Sequence, residues 1–319
     1  MNYFWYLFSQ NGWHDGGNST EQYGRALSGE PSIFIHGDRS ELKAKYHYLE
    51  IIPRGEEYVI PALEKSVEQA KIGMFCKPSE NFLRYLEYCR VAGIKTIYRC
   101  VDDWRHNFGE GWFDPAIEEK MIALADLAVA SSRRMADFYG IRYLPNACAW
   151  IRPKIPSPGN TPLVGFAGLA DLPRFDLDLV RSLAEQFPDI RFEIVGTRNP
   201  WRTRNITARA SCFWHEAIQH MKNFDVGIIP YCGDHLDGMQ PIKSWEYLGM
   251  GIPQLSQHDL DLPRHNSVYR YKTLDESIEK LRSILATLAT LNKSPILTYA
   301  SQNTWQTRIR QLVDWLDLP

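Results

Sequence analysis

The sequence predicts an α/β protein with two domains, each containing a parallel sheet covered by helices. Short apolar runs alternate with amphipathic helical segments along most of the chain. The length of 319 residues suits two domains of about 150 residues better than one. A proline-rich stretch without periodicity, residues 151–162, interrupts the alternation. We therefore predict that this stretch is the interdomain linker.

The first domain is predicted to span residues 1–152. Its apolar runs have the length and the β-branched and aromatic content of buried strands. The predicted strands are residues 3–7, 32–36, 48–52, 72–76, 96–101, 127–131 and 142–144, and the predicted helices include residues 21–27, 80–91 and 115–124. Because helical segments separate several of the strands, we expect those strands to run parallel.

The second domain, residues 153–302, repeats the alternation. Its predicted strands are residues 163–166, 191–195, 226–230 and 253–256. A final segment, residues 303–319, contains an amphipathic helical stretch. The apolar residues on one face of that stretch are Trp305, Ile309, Leu312, Val313 and Leu316.

Charge, cysteine content and hydrophobicity indicate which partners and which cell compartment to expect. The net charge of −2 gives no polyanion footprint, so a nucleic-acid partner is not expected. Six cysteines without a C-x-x-C pair indicate buried thiols in a reducing cytoplasm. No apolar run has the length of a membrane span, and the N-terminus lacks the positive flank of a signal peptide. We therefore expect a cytoplasmic protein, and peripheral contact with the inner face of the membrane is left open.

The most informative segment is residues 224–256, FDVGIIPYCGDHLDGMQPIKSWEYLGMGIPQLS, which has the pattern strand, loop, helix and strand. Pro241 suits the first helical position, where unpaired backbone N–H groups and the helix dipole favour an anion. Lys243 lies in that first turn, and Glu246 follows three residues later on the same face. A cation suited to phosphate and a carboxylate suited to hydroxyl groups are thus predicted to share one surface. The alternative is an ordinary surface helix with a Lys243–Glu246 ion pair.

The string P-x-K-x-x-E-Y-L-x-x-G-x-P at residues 241–253 resembles the nucleotide-sugar site of glycosyltransferases with the GT-B architecture. It is similar in particular to the retaining family 4 enzymes that build surface polysaccharides. Residues 164–196 look like the first strand, glycine loop, helix and second strand of the C-terminal domain in that family. The resemblance implies two Rossmann-like domains with parallel sheets facing a cleft, and a C-terminal helix that crosses back to the first domain.

The resemblance also implies a donor-binding set. Glu246 would accept hydrogen bonds from the ribose of the donor nucleotide, and Lys243 would contact its diphosphate. The implied donor-binding residues are Lys243, Glu246, Gly168, Arg174, Pro241, Tyr247 and Thr197. Family 4 enzymes usually place an Arg and a Lys near the loop after the first strand of this domain, and here only Arg174 is close. This departure increases the expected importance of Lys243 and of the helix N-terminus.

A glycine-containing loop, residues 9–20, follows the first predicted strand. Its Gly16 and Gly17 allow close approach of the backbone to a ligand. The resemblance favours a loop over the donor phosphates or the acceptor, with His14 available for proton transfer. An ordinary tight connection is the alternative interpretation.

A pair of carboxylates, Asp102 and Asp103, follows the predicted strand at residues 96–101. Adjacent carboxylates can raise the pKa of one another, which suits a general base, although they can also cap a helix. The segment Y-R-x-x-D-D is similar to the catalytic region of inverting glucuronosyltransferases of the xanthan type. That resemblance makes Asp102 the leading candidate for the base. If the enzyme is retaining instead, Asp102 would position the sugar or the acceptor.

No metal site is predicted. The two D-x-D strings, at residues 176–178 and 259–261, lie among apolar residues, and we expect the first to start a helix. The nine histidines show no spacing typical of zinc. Catalysis without a bound metal or other cofactor is therefore expected.

These observations together predict a metal-independent glycosyltransferase of polysaccharide biosynthesis. It would move a sugar from a nucleotide diphosphate donor, with UDP or GDP favoured, to a hydroxyl group of a saccharide or lipid-linked acceptor. Two alternatives stay open: a nucleotide-sugar 2-epimerase of the same architecture, and a non-catalytic partner subunit that kept the fold. A Rossmann oxidoreductase is disfavoured because no G-x-G-x-x-G follows the first strand of either domain.

Overall fold

The computed structural model describes residues 3–9, 19–27, 31–36, 44–45, 49–53, 55–107, 114–149, 151, 153 and 161–317. The chain divides into two compact units. Unit 1 comprises Met1–Asn146 together with Trp305–Pro319, and unit 2 comprises Ala147–Thr304. Most of the predicted linker at residues 151–162 lies outside the described residues.

Unit 1 contains an eight-stranded sheet within the described residues. Its strands are β1 (Tyr3–Phe8), β2 (Ser32–His36), β3 (Ala44–Lys45), β4 (Leu49–Pro53), β5 (Ala70–Phe75), β6 (Lys95–Cys100), β7 (Leu127–Ala130) and β8 (Arg142–Tyr143). Their order is β3-β4-β2-β1-β5-β6-β7-β8. All neighbours pair in parallel except the short edge strand β3, which runs antiparallel to β4. The alternation of strands and helices thus forms the predicted parallel sheet.

The helices of unit 1 are α1 (Ser19–Ala26), α2 (Glu56–Glu64), α3 (Glu80–Val91), α4 (Trp104–Asn107), α5 (Pro115–Leu124), α6 (Arg133–Tyr139) and, from the end of the chain, α12 (Trp305–Trp315). The sequence pattern named neither α2, whose interior contains Pro61, nor the short helix α6. The Ser132 side chain caps the start of α6, and Gly140, in the left-handed conformation, ends it.

The core of unit 1 is aromatic. Phe8 of β1 stacks on Phe75 of β5, with ring centroids 4.1 Å apart. Phe82 and Tyr85 of α3 contact the same ring of Phe8. These contacts bury the apolar face of α3 against the middle of the sheet.

Helix α12 packs on α1, as predicted for the end of the chain. The rings of Tyr23 and Trp305 are 4.8 Å apart and meet edge to face. The buried Arg308 donates through Nε to the carbonyl oxygen of Pro145 at 3.1 Å. The C-terminal helix is therefore an integral part of unit 1.

In unit 2, the described residues form a seven-stranded sheet. Its strands are β9 (Leu163–Ala167), β10 (Arg191–Thr197), β11 (Trp201–Arg202), β12 (Ile206–Ala210), β13 (Val226–Ile229), β14 (Gln254–Gln257) and β15 (Val268–Tyr271). Their order is β11-β12-β10-β9-β13-β14-β15, and only the two-residue strand β11 is antiparallel to its neighbour. The four predicted strands occupy the centre of the sheet. The sequence pattern does not predict the strands at the two edges, β11, β12 and β15.

The helices of unit 2 are α7 (Leu177–Gln186), α8 (Trp214–Met221), α9 (Ile242–Gly249), α10 (Leu274–Thr287) and α11 (Ser294–Gln302). Asp176 caps α7 through its side chain, which agrees with the prediction that the first D-x-D string starts a helix. Gly251, with a φ of 68°, follows α9 and turns the chain toward β14.

The cysteines and the helices bear on two expectations from composition, buried thiols and the absence of a membrane span. Four of the six cysteines are buried free thiols, whereas Cys212 is exposed and Cys232 is half-buried, because both lie in loops at the end of strands. Among the described residues, no helix is long and apolar enough to cross a membrane.

Candidate functional site

The loop after β9 touches the end of β10 at the carboxyl edge of the second sheet. The amide of Ala170 donates to the carbonyl oxygen of Gly196 at 3.0 Å. Gly196 has a φ of 122°, and a Cβ atom there would lie 1.9 Å from the carbonyl oxygen of Gly168. A Cβ atom at Gly168 would in turn lie 2.9 Å from Cε of Lys243. Because glycine has no side chain, Gly168 can approach both Gly196 and the Lys243 side chain closely.

Lys243 extends over two aromatic rings. Its Nζ donates to the Tyr231 hydroxyl at 2.7 Å. The same ammonium lies 5.1 Å from the ring centroids of Phe166 and Tyr231. Aromatic faces attract a cation, so the ammonium is held at the end of β9 and β13 instead of extending freely into solvent.

Arg174 reaches the same tyrosine. Its guanidinium lies 5.6 Å from the Tyr231 ring, and its carbonyl oxygen accepts a hydrogen bond from the Cys232 amide at 2.8 Å. The Nε atom of Arg174 is buried and has no hydrogen-bond partner in the described part of the chain. No salt bridge among the described residues includes Arg174 or Lys243. Two positive charges therefore meet at one ring without a salt-bridged acidic partner in that part of the chain, which favours binding of an anion.

The N-terminus of α9 differs in one detail from the prediction. Pro241 is the N-cap residue, with extended backbone angles, and Ile242 takes the first helical position that was predicted for Pro241. The reason is that the Pro241 carbonyl already accepts the first helical bond, from the Ser244 amide at 3.1 Å. No side chain caps this end of α9. The N–H groups of Ile242 and Lys243, which precede Ser244, thus have no intrahelical acceptor.

Glu246 is the buried carboxylate of the site, with only 4 % of the residue exposed. Its Oε1 accepts a hydrogen bond of 2.6 Å from Nε1 of Trp214. Burial raises the pKa of Glu246 to about 7, although the Trp214 hydrogen bond and the Lys243 charge oppose that rise. Because Glu246 pairs with Trp214 and Lys243 pairs with Tyr231, the alternative of an exposed Lys243–Glu246 pair does not describe this arrangement.

Tyr247 and Thr197, two of the predicted donor-binding residues, support the fold around the site. The fully buried Tyr247 donates to the Gly165 carbonyl at 3.2 Å, so its hydroxyl lies against the sheet. Thr197 donates to Oδ1 of Asp171 at 2.8 Å, and the other oxygen of Asp171 accepts from the Arg198 amide at 2.6 Å. Asp171 thus joins the loops after β9 and β10, and the Thr197 hydroxyl is used in that junction.

The structure adds three residues that sequence reasoning missed: Tyr231, Trp214 and Asp171. Tyr231 follows the apolar run of β13, at the strand end where ligands bind in open α/β sheets, so its position was a usable signal. Trp214 lies 32 residues before Glu246, and no spacing in the sequence connects the two. Asp171 had no signal beyond its place in the loop after β9.

The predicted catalytic loop of unit 1 holds its two carboxylates in different surroundings. Asp103 is 2 % exposed, and its Oδ2 lies 2.8 Å from Nδ1 of His106 and 3.7 Å from the guanidinium of Arg134. Asp102 is half-buried, and its carbonyl oxygen accepts a weak bond from the Cys100 thiol. Asp103 is thus committed to two side chains inside unit 1. His14, Gly16 and Gly17 lie outside the described residues.

A second buried carboxylate supports this loop. Glu118 of α5 accepts hydrogen bonds from the Tyr98 hydroxyl at 2.6 Å and from the Tyr139 hydroxyl at 2.5 Å. Burial raises the pKa of Glu118, although both tyrosines oppose the rise. These bonds connect α5, β6 and α6, the elements next to the Asp102–Asp103 pair.

The chain is similar to known proteins in two ways: part of its sequence matches a protein family, and its fold matches solved structures. The family described as Glycosyl transferase-like matches residues 176–314, less than half of the chain. A search of curated proteins by sequence finds no match. The solved structures that resemble this chain have the same fold at low sequence identity.

Three of these solved structures match the chain over nearly its whole length. A glycosyltransferase from Rickettsia africae has a TM-score of 0.70 at 10% identity, covering 99% of this chain and 98% of its own. Anabaena Alr3699/HepE, solved with UDP and glucose, has a TM-score of 0.65 at 13% identity, covering 98% of this chain and 99% of its own. The E. coli trehalose-6-phosphate protein bound with UDP-2-fluoro glucose has a TM-score of 0.63 at 11% identity, covering 99% of both chains. These likenesses establish the α/β fold with two parallel sheets that glycosyltransferases of the GT-B type share.

Proposed function

We propose that this protein is a glycosyltransferase that moves a sugar from a nucleoside-diphosphate sugar to a hydroxyl group of an acceptor. The observation that carries the proposal is the convergence of Lys243 and Arg174 on Tyr231, with the Glu246 carboxylate in the same helix as Lys243. The two cations suit a diphosphate, and the carboxylate suits the hydroxyl groups of a ribose. The family match over residues 176–314 and the UDP-bound relatives support the same assignment.

In this proposal, unit 2 activates the leaving group. Negative charge grows on the diphosphate as the glycosidic bond of the donor breaks. Lys243, Arg174 and the first N–H groups of α9 stabilise that charge, because they are held in place before the reaction begins. With these groups in this role, the reaction proceeds without a metal ion or other cofactor, and UDP or GDP is the favoured nucleotide.

Unit 1 binds the acceptor, a saccharide or a lipid-linked saccharide of polysaccharide biosynthesis. Asp102 is the proposed base if the sugar is transferred with inversion, since it is half-buried and is not the carboxylate that pairs with His106. If configuration is retained, an oxygen of the leaving phosphate takes the proton and Asp102 positions the acceptor. We propose a cytoplasmic location, with acceptors that are reached at the inner face of the membrane. No observation favours the 2-epimerase or the non-catalytic subunit.

A thermal-shift screen tests the donor assignment. UDP, GDP, dTDP and CMP would be tested with their sugars, because a ligand present at about 100 times its Kd adds roughly 2.7 kcal/mol to the free energy of unfolding. We expect UDP, GDP or a sugar conjugate of one of them to raise the Tm, and Glu246→Ala to abolish that rise while the unliganded variant stays folded. An equal Tm for the protein with and without every nucleotide would contradict the proposal.

A further inference from the structure

The short contact between Trp214 and Glu246 joins two helices of unit 2. Trp214 is the first residue of α8, and Glu246 lies within α9. The indole Nε1 is 2.6 Å from Oε1, and the two residues are 6 % and 4 % exposed. A charge-assisted hydrogen bond of this length between buried groups fixes both side chains.

The two oxygens of Glu246 are not equivalent. Within the described residues, hydrogen bonds to this carboxylate reach only Oε1. A carboxylate offers about four lone-pair directions, so Oε2 keeps its capacity to accept hydrogen bonds from a ligand. Lys243, the residue assigned to the diphosphate, lies three residues before Glu246 in the same helix, so the two side chains are neighbours.

We propose that Trp214 is a positioning residue that orients the Glu246 carboxylate so that Oε2 accepts hydrogen bonds from the ribose hydroxyl groups of the donor nucleotide. This inference rests on the proposed function and adds a basis for specificity. The site would select nucleoside diphosphates that carry ribose hydroxyls, and it would select them through an indole that does not touch the nucleotide.

The physical reason is preorganisation. A glutamate side chain has three rotatable torsions, and ordering a flexible side chain during binding costs affinity. The rigid indole holds Glu246 in one orientation before the nucleotide arrives. It also satisfies one oxygen of a buried carboxylate, which lowers the free-energy penalty of leaving that group in a dry environment. If Trp214 only filled space in the core, removing its N–H would not change the affinity that the ribose hydroxyls contribute.

The test uses calorimetric titration with UDP and with 2′,3′-dideoxy-UDP, or with the GDP pair if GDP binds more tightly. Trp214→Phe keeps an aromatic ring and removes the N–H donor. Trp245→Phe is the matched control. Trp245 precedes Glu246 in α9, and this variant removes an indole hydrogen bond that goes elsewhere, from Nε1 to Oε1 of Gln240 at 3.3 Å. We expect Trp214→Phe to lose about tenfold in affinity for UDP and less than about twofold for the dideoxy nucleotide. We expect Trp245→Phe to bind both as the wild type does.

An equal loss of affinity for the two nucleotides, or no loss for either, would overturn the inference. If Trp214→Phe does not fold, Trp214→His replaces it, since histidine keeps a ring nitrogen donor. The preference for UDP over dideoxy-UDP should then stay within about threefold of the wild type, and loss of the preference would overturn the inference. Wild-type protein that binds no nucleoside diphosphate overturns the proposed function together with this inference. Wild-type protein that prefers UDP, beside a Trp214→Phe variant that prefers it equally, removes this inference alone.

Discussion

The ammonium of Lys243 and the hydroxyl of Tyr231 are 2.7 Å apart, and this contact organises the carboxyl edge of the second sheet. Arg174 lies over the same ring at 5.6 Å, so one tyrosine positions both cations that we assign to the diphosphate. Lys243 thus adds a second cation beside the single basic residue in the loop after β9. It also predicts which part of a nucleotide each residue recognises.

Lys243→Ala should weaken binding of UDP by about tenfold or more and leave binding of uridine unchanged, because the ammonium serves phosphate oxygens. Calorimetric titration with the two ligands would measure both affinities. Lys222→Ala is the control, since Lys222 is a half-buried lysine outside the proposed site whose ammonium donates to the Gln219 side chain. A similar loss for uridine and UDP would show that Lys243 supports the fold alone.

Binding of uridine should depend on pH through Glu246. The pKa of this carboxyl is about 7, and the ionised form is the one that accepts hydrogen bonds from ribose. Affinity for uridine should therefore rise from pH 6 to pH 8 in the wild type and stay level in Glu246→Gln. Uridine is the suitable ligand because it has no phosphate that titrates in this range. A level profile in the wild type would contradict the assignment of Glu246 to the ribose.

The stability of the fold should also depend on pH through Glu246, but it should fall as pH rises, whereas the affinity for uridine should rise. The pKa of Glu246 is about 7 in the folded protein and 4.5 as the ordinary value, so between these pH values the folded state binds more protons than the unfolded state. The free energy of unfolding contributed by Glu246 therefore falls as pH rises through this window, by about 3 kcal/mol in all. Urea unfolding of wild type and Glu246→Gln at pH 4.5 and pH 8 would measure it. Relative to the wild type, the Gln variant should be more stable at pH 8 than it is at pH 4.5. If the difference in stability between the two proteins is the same at both pH values, that result would contradict the burial of a titrating carboxyl.

Gly196→Ala should destabilise unit 2 by roughly 2–4 kcal/mol, since a Cβ atom there would lie 1.9 Å from the Gly168 carbonyl oxygen and the φ is 122°. Gly233→Ala is the matched control: its φ is 103°, but no atom lies within 4 Å of the added Cβ. That variant should lose only the backbone contribution of about 1 kcal/mol. Thermal unfolding of the two variants separates steric conflict from backbone strain, and equal losses would refute the close approach of the loop after β9 to the end of β10.

The two carboxylates after β6 should respond differently to replacement by Asn. Asp102→Asn should keep the affinity for donor and lose roughly 10²- to 10⁴-fold in transfer rate if the product is inverted, as expected for a general base. Asp103→Asn should mainly reduce stability, because it removes a buried charge that pairs with His106 and Arg134. Transfer rate, product anomer and Tm would be measured for both. A fully active Asp102→Asn enzyme with an inverted product would rule out Asp102 as the base.

Much of the fold could be predicted from the sequence, since continuous apolar runs mark the buried central strands of a parallel sheet. The fold class is confirmed by both sheets. Edge strands such as β11, with two residues, have too few residues to produce a pattern. Helix α2 contains Pro61, which is a signal against a helix interior.

The candidate site was less accessible to sequence reasoning. Lys243 and Glu246 could be found because helical spacing places them on one side of α9. Trp214 and Tyr231 come from other elements, and only the folded chain brings them to Glu246 and Lys243. Tyr247 belongs to the same motif as Glu246, but its neighbouring position on the helix turns it toward the sheet, where it packs on Gly227.

The central claim is that this protein transfers a sugar and releases a nucleoside diphosphate. The most direct measurement follows UDP and GDP by mass spectrometry during incubation of UDP-hexoses and GDP-hexoses with saccharide and lipid-linked saccharide acceptors. The account predicts one nucleoside diphosphate for each new glycoside, and loss of both products in Lys243→Ala and Glu246→Ala. Donor that is converted only to an isomer of the same mass, or donor that binds and stays intact with every acceptor, would contradict it.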